Sequence, residues 1–144
     1  MSSEHEDCMA DAAKILGMNP APMYVYIAGP LSDLPPQYLA HVARMTKMSR
    51  SLAEAGYITI NPAADMLEGL MSPAPWPLSL YHSRSMGLLR LLEGRRGALY
   101  VVSDRHADGR LSGGVTAEIA EAFRLRIPIV WTREELDELR DARP

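Results

Sequence analysis

Four short apolar runs, at 24–28, 57–60, 98–102 and 127–131, alternate with longer stretches of helical period. Each run is rich in β-branched and aromatic residues and is bounded by glycine, proline or asparagine, which is the pattern of a buried strand. Strands that alternate with helices imply a parallel sheet covered on both faces. In such sheets ligands bind beyond the carboxyl ends of the strands. Three loops leave those ends, at 29–33, 61–65 and 103–114.

The helices fill the gaps. One starts near Pro35 or Pro36, since proline tolerates a first turn. Its stripe is Leu39, Val42, Met45, Ser49 and Leu52, and Gly56 caps it. A short helix is predicted over 63–70. A loop at 72–77, with three prolines, stops it, and a longer helix follows over 78–92. Gly94-Arg95-Arg96-Gly97 reads as a solvated basic turn. Thr132-Arg133-Glu134-Glu135 has the spacing of a capping box and opens a last helix. The order is β-α-β-α-α-β-α-β-α, an α/β fold of the Rossmann or flavodoxin-like kind in one domain over 23–144. Residues 1–22 form an appendage, with a short helix at 11–16 stopped by Asn19-Pro20-Ala21-Pro22.

With 144 residues, 47% of them apolar, the chain can build one real core. Its formal charge of −3 gives no global field for a nucleic-acid polymer or an anionic membrane. A small anion at a local site stays open. The single Cys8 forbids an intramolecular disulfide and a cysteine metal cluster, which fits a cytoplasmic protein. No run is apolar and long enough to cross a bilayer, and the acidic N-terminus lacks a signal-peptide pattern. His5, His41, His82 and His106 have no metal-ligand spacing, so neither a metal nor another cofactor is expected.

The chemistry concentrates in Leu111-Ser112-Gly113-Gly114-Val115-Thr116-Ala117-Glu118-Ile119-Ala120-Glu121-Ala122. Small residues run straight from a loop into a helix, whose first N–H groups can hold an anion. On the helical wheel Val115, Ile119, Ala122 and Phe123 form the buried face. Glu118 stands at its flank and Glu121 points away. The plainer readings are a first-turn glutamate that complements the helix dipole and a serine N-cap on a surface turn. Tyr26-Ile27-Ala28-Gly29-Pro30 makes a tight exit from the first strand. His82 borders the same pocket or lies on the surface, and Met66, Leu67, Leu70 and Met71 form a satellite core or a ligand cover.

Together these segments resemble the nucleoside 2-deoxyribosyltransferase-like superfamily. It includes nucleoside deoxyribosyltransferases, 2′-deoxynucleoside 5′-monophosphate N-glycosidases and small phage and bacterial proteins. The matching pieces are Tyr26-Ile27-Ala28-Gly29-Pro30, Asn61-Pro62, Arg84-Ser85 and the segment from Ser112 to Ala122, across about residues 23–131. The resemblance implies that Glu118 is a nucleophile toward C1′ of a sugar and that Ser112, six residues before it, contacts a 5′-phosphate. Gly113 and Gly114 would join Ser112, with Tyr26, Ala28, Gly29, Pro30, Asn61 and Arg84 around the substrate. It implies a nucleoside monophosphate or nucleoside as ligand, and a homodimer or higher homo-oligomer, with Trp76 and the helix from Leu78 as contacts.

One position departs from the pattern. Where the family commonly carries an aspartate after Arg or Asn in the middle helix, this chain has Ser85, which cannot serve as an acid near neutral pH. Asp65, Asp104, Asp108 and His82 are the candidates to replace it. The expected activity is hydrolysis of a nucleotide N-glycosidic bond. The alternatives are deoxyribosyl transfer and nucleotide binding without turnover.

Overall fold

The structure, a computed structural model, describes residues 2–19, 21–31 and 36–142. Ser32 and Asp33 of the first loop and Pro35, one of two prolines expected to open a helix, lie outside the described residues. The elements run α1 (Ser3–Leu16), β1 (Tyr24–Ala28), α2 (Gln37–Glu54), β2 (Ile58–Ile60), a 3-10 turn (Pro62–Ala64), α3 (Asp65–Met71), α4 (Leu78–Arg90), β3 (Gly97–Val101), α5 (Gly113–Arg124), β4 (Ile129–Val130) and α6 (Arg133–Asp141).

The four strands form one parallel sheet in the order β2-β1-β3-β4. From β1 the chain crosses first to one side and then to the other. The carboxyl ends of β1 and β3 therefore flank a topological switch point, where such sheets leave a crevice. Alternation along β1 divides the core into two layers. Val25 and Ile27 pack with Met45, Leu52, Tyr57, Tyr100 and Leu136, under α2 and α6. Tyr26 and Ala28 pack with Leu89, Leu99, Val115 and Ala122, under α4 and α5. The α/β class and its helices on both faces are as the sequence implies.

Several local expectations need correction. The first helix is longer than 11–16: Ser2 caps it through the His5 amide and acidic residues fill its first turn, yet it buries none of its residues. In α2 the stripe is Val42, Met45 and Leu52, but Leu39 is exposed and His41 is buried instead. Gly56 does follow α2 in the left-handed region, at φ 94°. In α5, Val115 and Ala122 are buried while Phe123 is 80% exposed. Seven residues bring a helix almost back to the same face and eight overshoot it. The basic turn is not wholly solvated, because Arg96 donates to the carbonyls of Ala21 and Arg140. Leu67, Leu70 and Met71 are exposed rather than packed as a satellite core.

Candidate active site

At the switch point lies a cavity of about 730 Å³. All three loops expected to build it contribute: Gly29 and Leu31 from the first, Pro62 from the second, and Ser112, Gly113 and Gly114 from the third. The long third loop reaches this place by folding on itself. The His106 amide donates to the Arg110 carbonyl, Arg105 bridges to Leu111, and the Ser112 amide donates to the Asp104 carbonyl at 2.7 Å. The excursion closes, and α5 starts directly beyond the end of β3.

Ser112 is buried and caps α5. Its Oγ accepts from the Val115 amide at 3.3 Å, and its carbonyl accepts from the Thr116 amide. A hydroxyl that accepts one bond still has its own proton to donate. With the amides of Val115 and Thr116 taken, the intrahelical ladder leaves those of Gly113 and Gly114 for another acceptor. Gly114 also answers a steric demand. A Cβ there would sit 3.1 Å from Cε1 of His82, so the imidazole lies against bare backbone at the start of α5.

Glu118 follows one turn later and lines the cavity. With Val115 and Ala122 seated on the sheet, a residue three positions beyond Val115 falls on the flank that meets α4. The surroundings are largely apolar, with Leu31, Met66, Leu78 and Met86 in the walls. Burial pushes the Glu118 carboxyl up to about 7, against a smaller opposing effect of the Tyr26 hydroxyl. Among the described residues no cation pairs with it. Tyr26 comes from β1 on the same side of the sheet. Its hydroxyl is buried and faces Glu118 and Ser85 without closing a well-directed hydrogen bond. Burial, then the Glu118 charge, raises its pKa well above the usual phenol range.

The α4 wall consists of Leu78, Tyr81, His82, Ser85 and Met86. These follow the i, i+3, i+4, i+7, i+8 spacing of one helical face. Tyr38 of α2 completes the aromatic lining. Tyr38, Tyr81 and Met86 were not singled out from the sequence. The wheel over α4, anchored on Ser85, carries the signal for the latter two.

Other expected contacts lie outside the wall. Ala28 and Pro30 are buried beneath it. Asn61 ends β2 as a cap: its Oδ1 accepts from the Ala63 amide, and its Nδ2 donates to Thr46. Arg84 points to α3, where it binds both oxygens of Glu68, at 2.6 and 3.2 Å, and lies 3.3 Å from Asp65 Oδ1. Its guanidinium also stacks over Trp76, which tilts against Tyr81. Trp76 thus serves the α3–α4 clamp. Asp65 is 7% exposed, its Oδ2 is buried without a hydrogen-bond partner, and burial raises its pKa despite Arg84.

No protein-family model matches this chain, and no match was found among curated proteins or solved structures. No helix of the described residues is long and apolar enough to cross a membrane. The site itself is the basis for a functional reading.

Proposed function

We propose that the protein hydrolyses the N-glycosidic bond of a nucleoside 5′-monophosphate, releasing free base and sugar phosphate. The observation that carries this reading is the pairing of Glu118, a cavity-wall carboxyl titrating near 7, with a serine-glycine-glycine helix start one turn away in the same wall. The helix start would take the phosphate through the amides of Gly113 and Gly114 and the Ser112 hydroxyl. The aromatic and apolar walls would take the base. Glu118 would attack C1′ and form a glycosyl ester, which water then resolves, as in retaining glycosidases. Anchoring the phosphate contributes binding energy remote from C1′, which can be used to distort the sugar toward its transition state.

A second reading, a nucleotide-binding protein without turnover, draws on Ser85, where the resemblance leads one to expect an acid. Deoxyribosyl transfer would differ only in admitting a second base in place of water. The resemblance adds the expectation of a homodimer or larger assembly, for which Leu67, Leu70, Met71 and Leu78 offer exposed apolar surface on α3 and α4. The test is chromatography of the wild-type protein with each ribo- and deoxyribonucleoside and its 5′-monophosphate. Free base is expected from monophosphates in preference to nucleosides. Base release from neither, with tight binding of the monophosphate, would leave the binding protein.

A further inference from the structure

We propose that His82 is the proton donor to the departing base, filling the role that Ser85 cannot. This rests on the glycosidase reading and deepens it. A base leaving C1′ carries an electron pair that must be protonated, so the site needs an acid besides the nucleophile. The structure separates the four candidates. Asp108 is tied to Arg110 by an ion pair within the folded-back loop. Asp104 and Asp65 are not in the cavity wall, and Asp65 is held behind it by Arg84. His82 is in the wall, together with Ser85 and Glu118.

Three observations place His82 for the task. It precedes Ser85 by three residues on α4, so the two share a helical face and their side chains reach neighbouring positions. Its ring sits against Gly114, where any side chain would crowd Cε1. The imidazole therefore lies against the start of α5 in the wall that also holds Glu118, while His82 as a whole stays exposed to solvent and in reach of a ligand. Imidazole is also the side chain that most readily exchanges a proton near neutral pH. The titratable groups that share its surroundings are Glu118 of α5, Tyr38 of α2 and Tyr81 of α4 in the wall, with Tyr26 of β1 and Asp65 of α3 behind it.

The step balances. A Glu118 oxygen bonds to C1′ as the C1′–N bond breaks. The electron pair stays on the base nitrogen, which takes a proton from the imidazolium. In the second half a water oxygen attacks C1′, its proton goes to the neutral imidazole, and Glu118 leaves as carboxylate.

The test compares two leaving groups in wild type and His82→Asn. One is the ordinary nucleotide that the wild type hydrolyses fastest. The other is a 7-methylguanine nucleotide, whose base already carries a positive charge and departs without a proton. In kcat/KM below pH 7, which reports only the steps up to base departure, release of the ordinary base should fall by ~10²–10⁴, while release of 7-methylguanine stays within a few-fold. Thermal melts check that His82→Asn folds. Equal slowing of both substrates in His82→Asn, or slowing of neither, would overturn the assignment. No release of any base by wild type would overturn the glycosidase reading first and this one with it.

Discussion

The sheet carries a tyrosine facing a carboxylate on each of its two sides, and the two pairs have opposite electrostatics. Under α6, the Tyr57 hydroxyl donates to Asp137 at 2.6 Å. Arg133 binds the same carboxylate at 3.0 Å, and both Arg133 and Arg140 stack over the Tyr57 ring. That hydroxyl, followed by the arginines, holds Asp137 below the usual carboxylate range, while burial and the Asp137 bond push Tyr57 up to about 12. Under α5, Tyr26 and Glu118 meet in an apolar wall with no cation among the described residues, and Glu118 rises to about 7. The same two functional groups make a strut where guanidiniums surround them and a poised carboxyl where burial alone acts. Protein interiors rarely leave polar atoms unpaired without a reason. Here the unpaired Tyr26 hydroxyl lies beside the cavity, on the side of the sheet that holds Glu118.

The contrast is sharpest in activity. Glu118→Gln should lower base release by ~10³ or more, because it keeps the shape and removes the nucleophile. Asp137→Asn, on the other side of the sheet, should leave base release near wild type. Chromatography of both variants on one nucleotide decides the matter, and comparable losses in the two would erase the distinction.

Stability should move the opposite way. The Glu118 pKa is raised on folding, so its ionised form is disfavoured in the native state. That cost is absent below pH 4.5, grows as the pH rises to 7 and is complete above it. Urea unfolding should therefore find Glu118→Gln more stable than wild type by up to about 3 kcal/mol at pH 8, with no gain at pH 4. The Asp137 pKa is lowered, so its contribution is present above the ordinary aspartate range and fades as the pH falls through its folded value. Asp137→Asn should cost about 1 kcal/mol at pH 7. A Glu118→Gln variant without a gain at pH 8 would show that the carboxyl is well solvated.

The tyrosines give the smallest effects. Tyr57→Phe removes a hydrogen bond to a charged group and should cost about 1 kcal/mol at neutral pH. Tyr26→Phe removes a buried hydroxyl that makes no well-directed hydrogen bond and should cost less than that in the same urea titration. Since that hydroxyl lowers the Glu118 pKa, its loss should also shift the acidic limb of base release to higher pH. Equal costs for the two substitutions would mean that Tyr26 is paired after all.

The strands, their parallel arrangement and the three loops of the cavity were legible in the sequence, because β-branched runs and their terminating residues are local signals. Glu118, Gly29 and the Ser112-Gly113-Gly114 turn were legible as local signals, Ser85 only through the resemblance, and they meet in one cavity. What sequence could not supply was partnership over distance. Arg84 reads as a ligand contact until Glu68 and Asp65, on another helix, claim its guanidinium. The seating of His82 on Gly114 joins positions 32 residues apart. Phe123 was misplaced because one step on a helical wheel separates a buried face from solvent, and Ala122 holds the buried position.

The central claim is that Glu118 must lose a proton near neutral pH to act as nucleophile. The most direct measurement is the pH dependence of kcat/KM for a 4-nitrophenyl glycoside of the same sugar 5′-phosphate, corrected for spontaneous release, because a nitrophenolate departs without an acid. The account predicts a single limb that rises with pH to a plateau, with a midpoint near 7, and that is missing in Glu118→Gln. A rate that falls as the pH rises through 7, or a limb that survives in Glu118→Gln, would contradict it.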